Sequence, residues 1–351
     1  MVSSKEELNY VSFNQDQSCF ICATNNGFTI YSAFPFEEIS SRDLGGSLGI
    51  AEMFYCTNLL ALVGGGSNPK FPPNKVVLWD DKQTKVVAEL IFLSEVRTIK
   101  LRKSKLLVAI DNKIFLYQLH DLKILDIIDT CYNPLGLCCF SLDEDIMSCP
   151  DSTVGHIIVN NYTKKTSKTR KAHNSIIRKV EISDSGAYLA TASEKGTIIR
   201  IFDVNSLTIM KELRHGTDYQ HIVSIAFNVN DSWIAVMSHT GRLSIFNTTE
   251  LPKEVRAENE KKGKDKDKKS NNSSFKIPVP GFLTSFFNPQ ASYQKLELKD
   301  KGAKLSFGAG ADQLFIISLD GNYYHVNPQM KKPGENQIKE KKTFFKSNSS
   351  P

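Results

Sequence analysis

The chain has 351 residues, of which 40% are hydrophobic and 23% are charged, and its mean hydropathy is −0.27. This composition is typical of soluble globular proteins, and the lack of any run of about 18 consecutive apolar residues excludes a transmembrane helix. The first seven residues, Met1–Glu7, lack the apolar stretch of a secretory signal. Together these features predict a cytoplasmic protein whose contact with any membrane is peripheral.

The formal net charge of +6 is unevenly distributed along the chain. Residues 253–269 hold eight Lys or Arg against five Asp or Glu, and residues 329–351 hold six against two. The rest of the chain is therefore close to neutral, which argues against a broad nucleic-acid-binding face. The two basic segments fit either attraction to an anionic surface or simple solubility.

The cysteines carry no clear metal signal. There are seven, and Cys19 and Cys22 form a single CxxC pair without a second pair or a histidine at zinc-site spacing. Most of the cysteines lie in apolar, strand-like runs. We therefore expect reduced core cysteines, no bound metal and no cofactor.

In chain order, the apolar positions fall in short runs of four to seven residues rich in Val, Ile, Leu and Phe. In the first part of the chain these runs lie at 10–13, 19–23, 27–31, 76–79, 86–91, 96–101, 106–110 and 114–119. Turn sequences of the Asn-Asn-Gly, Asp-Ser-Gly and Lys-Gly-Thr types separate such runs, and no long segment has the 3.6-residue period of a helix. The pattern predicts an all-β chain.

Three longer units repeat the order strand, turn, strand, turn, strand, namely Ile177–Asp203, Ile222–Asn247 and Lys304–Val326. Their spacing of about 45 residues is the period of WD-type blades, which stack radially because no blade buries its apolar faces alone. At that spacing, residues 1–327 are predicted to form a seven-bladed β-propeller of WD-repeat type.

Two segments interrupt the repeat. Residues 251–280 are rich in Lys, Glu, Asp, Ser and Asn, a composition typical of disorder. An apolar cluster outside any clear strand follows, with Phe282, Leu283, Phe286 and Phe287. We expect residues 251–292 to form a disordered basic and apolar loop inserted in blade six, and residues 328–351 to form a basic disordered tail.

Four segments together carry a resemblance to a known family, namely the Gly-rich loop 64–75 with Val76–Asp81, Cys131–Cys138, Ala172-His173 with Ala190–Asp203, and Glu212–Gly216. They resemble the PROPPIN family, the phosphoinositide-binding propellers called WIPI proteins in animals. The resemblance extends from about Asn9 to Asn327. Leu213-Arg214-His215-Gly216 stands where the family has FRRG or LRRG, with histidine in place of the second arginine.

The resemblance implies two headgroup sites at the rim of blades five and six. Adjacent side chains of a strand point to opposite faces, so two neighbouring cations can serve two pockets. The first site would be led by Arg214, bound bidentately to ring phosphate. Its other candidate residues are His173, Ser193, Lys195, Thr197 and Arg200. Each of these has an ordinary structural alternative, such as a turn-capping hydroxyl, a solvent-facing arginine or the blade-orienting histidine of WD repeats.

The second site departs from the family pattern. Arg242 stands where the family has threonine, Ser244 where it has histidine, and His215 where it has the second arginine. The residues expected there are His215, Ser238, His239, Thr240, Arg242 and Ser244. Either the site is lost, or Arg242 supplies the missing charge; we favour a retained but altered site. It would be more sensitive to pH than a two-arginine site, because the pKa of histidine is near ~6.5.

The cluster Phe282, Leu283, Phe286 and Phe287 matches the family's membrane loop by position. Each fully buried side chain of this kind yields about 1.5–3 kcal/mol, so partial insertion would strengthen weak headgroup binding. The alternative is that the aromatic residues pack onto the propeller and the Lys-rich run is a solvated spacer.

The resemblance implies a peripheral effector of phosphatidylinositol 3-phosphate and the 3,5-bisphosphate. Through blades one to three it would recruit a lipid-transfer or conjugation component of autophagosome formation. We expect a role in autophagy-related or endolysosomal remodelling, on preautophagosomal, endosomal or vacuolar membranes. An enzyme is not expected, because the sequence has no nucleophile elbow, zinc motif or Walker loop. The alternative function is a WD-repeat protein-interaction scaffold that does not bind lipid.

Overall fold

The computed structural model describes residues 7–249, 290–300, 302–310, 313–328 and 334–345. Within these ranges the chain forms thirty β-strands and no helix, so no helical segment there is long and apolar enough to cross a bilayer. The predicted all-β class is confirmed. The expectations for the disordered loop over residues 251–292, including Phe282, Leu283, Phe286 and Phe287, lie outside the described residues up to 289. At its end the expectation is wrong, because Gln290 and Ala291 form a short strand.

The first four sheets are each built from four consecutive antiparallel strands. Blade one contains β1 (Leu8–Phe13), β2 (Cys19–Thr24), β3 (Gly27–Ser32) and β4 (Glu37–Asp43). Blade two contains β5 (Leu48–Met53), β6 (Leu59–Gly64), β7 (Lys75–Asp80) and β8 (Lys85–Ile91). Blade three contains β9 (Thr98–Arg102), β10 (Lys105–Ala109), β11 (Lys113–Gln118) and β12 (Ile124–Asp129). Blade four contains β13 (Cys139–Phe140), β14 (Ile146–Pro150), β15 (His156–Asn161) and β16 (Thr166–Lys171).

The last three sheets keep this plan but include strands from further along the chain. Blade five contains β17 (Ile177–Ile182), β18 (Tyr188–Ser193), β19 (Ile198–Asp203) and β20 (Ile209–Arg214), with β24 (Gln290–Ala291) added. Blade six contains β21 (Ile222–Phe227), β22 (Trp233–Ser238), β23 (Arg242–Asn247) and β25 (Gln294–Glu297), with β29 (Gly334–Glu335) added. Blade seven contains β26 (Lys304–Phe307), β27 (Leu314–Ile317), β28 (Asn322–Val326) and β30 (Ile338–Thr343).

The first strands of successive sheets contact one another around a common axis, and β26 returns to contact β1. Neighbouring sheets bury their apolar faces against each other, as in the shared cluster of blades five and six that contains Leu213, Ile225 and Phe246. The second strands are almost wholly buried, whereas the outermost strand β16 is exposed along its whole length. This arrangement is a seven-bladed β-propeller, as predicted.

The ring closes through aromatic contacts between blades one and seven. The buried Tyr323 hydroxyl donates to the carbonyl oxygen of Ala33 at 2.7 Å, and the ring of Phe20 lies between Tyr323 and Phe344 with centroid distances of 6.3 and 5.3 Å. Among the described residues, blade seven takes its four strands, β26, β27, β28 and β30, from the C-terminal part of the chain and none from the N-terminal part.

The expectation of a disordered tail over residues 328–351 is wrong for its described part. Strand β30 pairs with β28 from Asn322 opposite Thr343 to Val326 opposite Ile338, and so supplies the outer strand of blade seven. Five of the six residues in its Ile-Lys-Glu-Lys-Lys-Thr sequence are polar, as expected for an outer strand whose two faces reach solvent. Polarity alone therefore did not distinguish this strand from a disordered tail.

All seven cysteines are free thiols, and five of them are buried; Cys56 is exposed and Cys131 is half-buried. Burial raises the pKa of the Cys138 thiol to about 12. In the described ranges no group of three or more His, Cys, Asp or Glu side chains is placed to hold a metal ion.

Candidate functional site

At the end of β20, the neighbouring side chains of Arg214 and His215 point in opposite directions. Leu213 is fully buried between blades five and six, Arg214 is exposed, and His215 is buried again with 3% of its surface exposed. This is the alternation that an extended strand imposes. The arginine therefore projects into solvent, while the histidine that follows it faces the protein interior.

Beside Arg214 lies the turn between β18 and β19. The backbone N–H of Gly196 donates to the carbonyl oxygen of Ser193, and the N–H of His215 donates to that of Thr197, both at 3.0 Å. Strand pairing sets Arg214 opposite Ile198, the residue after Thr197. Ser193 and Thr197 are half-buried and Lys195 is exposed. Two hydroxyls and two cations of the predicted first site thus share one edge of blade five.

Glycine is required in this turn. Gly196 has a φ of +64°, and a Cβ built there would stand 1.6 Å from the carbonyl oxygen of Gln220. The N–H of Gln220 in turn donates to the carbonyl oxygen of Lys195 at 3.1 Å. The turn therefore packs directly on the segment that leads from the Leu213–Gly216 motif into blade six.

Two residues assigned to the first site, His173 and Arg200, are engaged within the protein. His173 is 5% exposed and its Nε2 lies 2.8 Å from the hydroxyl of Thr191. Burial, followed by the charge of Arg200, lowers the pKa of His173 to about 4, so the ring is neutral at pH 7. The contact with Thr191 matches the blade-orienting alternative for His173, and its assignment as a donor to phosphate stays a prediction.

The guanidinium of Arg200 bridges β19 to its neighbours. Its Nε donates to Glu212 at 2.7 Å, and a terminal nitrogen donates to the carbonyl oxygen of Ala172 at 2.5 Å. Glu212 is only 3% exposed, so this ion pair is shielded from solvent. Arg200 therefore stabilises the wall of the site. The exposed Arg214 is better placed than Arg200 to bind a phosphate.

The second predicted site centres on His215 and Arg242. Neither ring nitrogen of His215 has a hydrogen-bond partner, although both are buried. Burial, with the nearby charges of Arg242 and Lys295, lowers the pKa of His215 to about 4. The histidine is therefore neutral at pH 7 in the absence of a ligand, and the partial charge expected from the sequence is not present.

Arg242 supplies one of the positive charges of this edge. A terminal nitrogen of its guanidinium lies 3.3 Å from the position that a Cβ on Gly216 would occupy, and its Nε lies 3.5 Å from the carboxylate of Glu297. The Glu297 side chain is 76% exposed, so the pair is a weak surface contact. Arg242 thus lies between the Leu213–Gly216 motif and the outer strand of blade six.

Hydroxyl groups line the turn of blade six. The Ser238 hydroxyl accepts a hydrogen bond from the N–H of Arg242 at 3.2 Å and lies 2.9 Å from the hydroxyl of Thr240. Thr240 donates to the side-chain oxygen of Gln220 at 3.3 Å, and the rings of His239 and His221 are 5.4 Å apart. Ser238 is buried, whereas His239 and Thr240 are exposed.

The structure adds two residues that the sequence did not single out. Lys295 lies on β25 opposite Ser244, whose fully buried hydroxyl has no hydrogen-bond partner. A buried nitrogen of His221, Nδ1, is likewise without a partner. Strand β25 comes after the interruption at 250–289, so the spacing of the repeats does not predict the position of Lys295. The one sequence signal for His221 is its position shortly after the Leu213–Gly216 motif.

A short strand covers the outer edge of blade five beside Arg214. In β24, Gln290 and Ala291 pair in parallel with Leu213 and Arg214. The side-chain oxygen of Gln290 and the hydroxyl of Ser292 are buried there without partners. The chain thus returns from residues 250–289 directly onto the Leu213–Gly216 motif.

Comparisons with known proteins agree with this architecture. The PROPPIN family model matches residues 7–264. Autophagy-related protein 18e of Arabidopsis thaliana is 32% identical over 341 residues, which cover 95% of this chain and 87% of that protein. The structure of Kluyveromyces lactis Hsv2 superposes with a TM-score of 0.75 at 20% identity, covering 97% of this chain and 100% of that one.

A second solved structure, the complex of KlAtg21 with the coiled coil of AgAtg16, has a TM-score of 0.73 at 22% identity and covers 97% of this chain and 100% of that one. At these identities the likeness between structures supports the fold, while the family match and the plant relative support kinship. The chain belongs to the PROPPIN family of WD-repeat β-propellers, together with the Atg18-like autophagy-related proteins.

Proposed function

We propose that this protein binds membranes containing phosphatidylinositol 3-phosphate or the 3,5-bisphosphate, through two headgroup sites at the edges of blades five and six. The family consists of lipid-binding propellers without enzymatic activity, which supports this class of function. The observation that carries the proposal is the exposed Arg214 beside the turn of Ser193 and Thr197, next to a second cation, Arg242.

The first site is led by Arg214. An arginine binds a phosphate through two parallel hydrogen bonds, and a dianionic headgroup gains from the exposed ammonium of Lys195 nearby. The hydroxyls of Ser193 and Thr197 complete the donor set. His173 and Arg200 stabilise the wall of the pocket through their contacts with Thr191 and Glu212, respectively.

The second site is retained but works differently from a two-arginine site. Its charge comes from Arg242 and Lys295, while His215 and Ser244 offer buried polar atoms that lack partners. An unpaired polar atom in the interior is unfavourable, so a ligand that pairs with these atoms gains their hydrogen bonds at little further desolvation cost.

Membrane binding is a sum of weak contacts. Once one headgroup is held, binding of the second and insertion of the apolar loop become intramolecular steps with a high effective concentration. The Lys-rich run before that loop adds about 1 kcal/mol for each charge close to an anionic surface. The protein therefore resides peripherally on preautophagosomal, endosomal or vacuolar membranes.

A partner protein is recruited on the opposite side of the ring, through blades one to three. The outer strand of blade two and the turn after it expose apolar side chains, with Val87, Ile91 and Leu93 at 56%, 70% and 103%. In blade three, Ile124 and Ile127 are exposed in the same way on β12. An apolar stripe of this kind is typical of protein contacts, and the partner class is a lipid-transfer or conjugation component of autophagosome formation.

Liposome co-sedimentation tests the lipid function. Vesicles with phosphatidylinositol 3-phosphate are compared with vesicles of equal charge made with phosphatidylserine, for wild type, Arg214→Ala and the matched control Arg42→Ala. Arg42 lies on blade one in a surface pair with Asp81. We expect selective binding that is lost in Arg214→Ala and kept in the control. Equal binding to both vesicles would mean non-specific attraction, and binding to neither would favour a scaffold that does not bind lipid.

A further inference from the structure

The axis of the ring contains a second group of charges, far from the edge that carries Arg214. A cavity of about 220 Å³ lies where the first strands of the blades converge. Its charged lining comes from four blades and comprises Glu52, Lys100, Arg102, Lys179, Glu181, Asp184 and Lys304. Four cationic side chains therefore face three carboxylates.

Two of these carboxylates, Glu52 and Glu181, already have cationic partners. Lys100 lies 3.2 Å from Glu52, and Lys179 lies 3.2 Å from Glu181. Glu52 also accepts hydrogen bonds from the hydroxyls of Tyr10 at 2.5 Å and Ser12 at 3.1 Å. Its charge is thus distributed over several donors, and neither Glu52 nor Glu181 is left over for the third lysine.

Lys304 is that third lysine. Among the described residues no carboxylate lies within ion-pair distance of its ammonium group, and its Nζ lies 5.9 Å from the centroid of the Tyr10 ring. Burial, followed by the charges of Lys179 and Lys100, lowers the pKa of Lys304 to about 7. Within the described residues, Lys304 consequently has no ion-pair partner when it is protonated, whereas Lys100 and Lys179 each have one.

An unpaired charge in a protein interior is strongly unfavourable unless a counter-ion joins it. We propose that the axial channel is a binding site for a small inorganic anion, with Lys304 as its principal ligand and Lys100 and Lys179 supplying the surrounding positive field. The buried hydroxyl of Ser224, which accepts the N–H of Leu305 at 3.0 Å, is placed to donate its own proton to the same anion.

The size of the channel fits this class of ligand. Pockets for drug-sized molecules usually measure about 300–1,000 Å³, so a cavity of about 220 Å³ suits a phosphate or sulfate ion with a few waters. The site lies on the axis of the ring and does not involve Arg214 or Arg242. The inference is therefore independent of the lipid function proposed for blades five and six.

Isothermal titration with inorganic phosphate, in buffer containing sodium chloride and no other oxyanion, tests the proposal. The full chain is used as wild type, Arg214→Ala, Lys304→Met, Lys304→Arg and the control Lys82→Met, which removes an exposed lysine from a turn of blade two. We expect saturable binding to wild type, Arg214→Ala, Lys304→Arg and the control. Lys304→Met should bind at least tenfold more weakly.

Two results would overturn the site. One is the absence of saturable binding to wild type, and the other is equal binding by Lys304→Met. Loss of binding in Arg214→Ala would place the phosphate at the edge of blade five and would also overturn it. Should Lys304→Met fail to fold, wild-type crystals grown in selenate decide: an anomalous peak within hydrogen-bond distance of the Lys304 ammonium supports the site, and an empty channel contradicts it.

Discussion

Arg242 of blade six lies against Gly216 of the segment that enters that blade, with a guanidinium nitrogen 3.3 Å from the place of a Cβ on the glycine. The φ of Gly216 is not in the left-handed region, so the residue is small for reasons of space rather than backbone conformation. The Leu213–Gly216 motif thus has two functions. Arg214 faces solvent at blade five, and Gly216 leaves room for the cation of blade six.

Gly216→Ala is expected to weaken the second headgroup site while leaving the first intact. The added methyl group displaces the Arg242 guanidinium by a few tenths of an ångström. Titration with the soluble headgroup inositol 1,3-bisphosphate should show one site with unchanged affinity and one weakened several-fold. Unchanged affinity at both sites would show that Arg242 does not depend on this contact.

Acid should destabilise the protein through His215. Its folded pKa of about 4 lies below the unfolded value near ~6.5, so the unfolded chain binds more protons between these pH values. The contribution to stability is complete above pH ~6.5 and falls by up to about 1.4 kcal/mol for each pH unit toward pH 4. His173 acts in the same direction, whereas Asp184, whose pKa burial raises to about 6, acts in the opposite one.

Comparison of variants isolates the contribution of His215. The free energy of unfolding is measured by urea denaturation from pH 7 to pH 5 for wild type, His215→Phe and the control His120→Phe, whose imidazole is 72% exposed. The slope of stability against pH should become shallower in His215→Phe alone. An equal slope in all three proteins would mean that His215 titrates normally in the folded state.

Removal of β30 should open the ring. A chain ending at Gln337 loses the outer strand of blade seven and the contacts of Phe344 with Phe20 and Tyr31, whose centroids lie 5.3 and 5.5 Å away. We expect a clear fall in the midpoint of thermal unfolding relative to the matched chain ending at Phe345, which keeps the strand. Equal midpoints would show that β30 contributes nothing to closure.

Tyr323→Phe tests the closure of the ring by removing one hydroxyl group. The hydroxyl is buried and bonded to the carbonyl oxygen of Ala33, so its loss leaves that acceptor unpaired and should cost about 1–3 kcal/mol of unfolding free energy. Tyr132→Phe, at a side chain that is 70% exposed, serves as the control and should change little. Equal stability of the two variants would show that this hydrogen bond does not contribute to ring closure.

Much of the fold could be predicted because the inner strands of each blade are apolar and evenly spaced. Outer strands such as β16 and β30 are polar on both faces, so they resemble loops in sequence, and the latter was assigned to a disordered tail. The interruption at 250–289 separates β23 from β25 in the sequence. The regular repeat spacing therefore could not predict that Lys295 lies opposite Ser244.

For the candidate site, the sequence indicated the residues but not their surroundings. Strand alternation correctly set Arg214 and His215 on opposite faces, but it did not say which of them would be buried. The partners of Arg200 and His173 depend on contacts across strands and between blades, to Glu212, Ala172 and Thr191, which a linear pattern does not contain.

The central claim is that two sites at neighbouring edges bind the headgroup, one led by Arg214 and the other by Arg242. The most direct measurement is the stoichiometry of inositol 1,3-bisphosphate binding by isothermal titration. We predict two molecules for wild type, one each for Arg214→Ala and Arg242→Ala, and none for the double variant, with all four proteins unfolding at similar temperatures. Wild-type binding that is unchanged in Arg214→Ala would contradict the account.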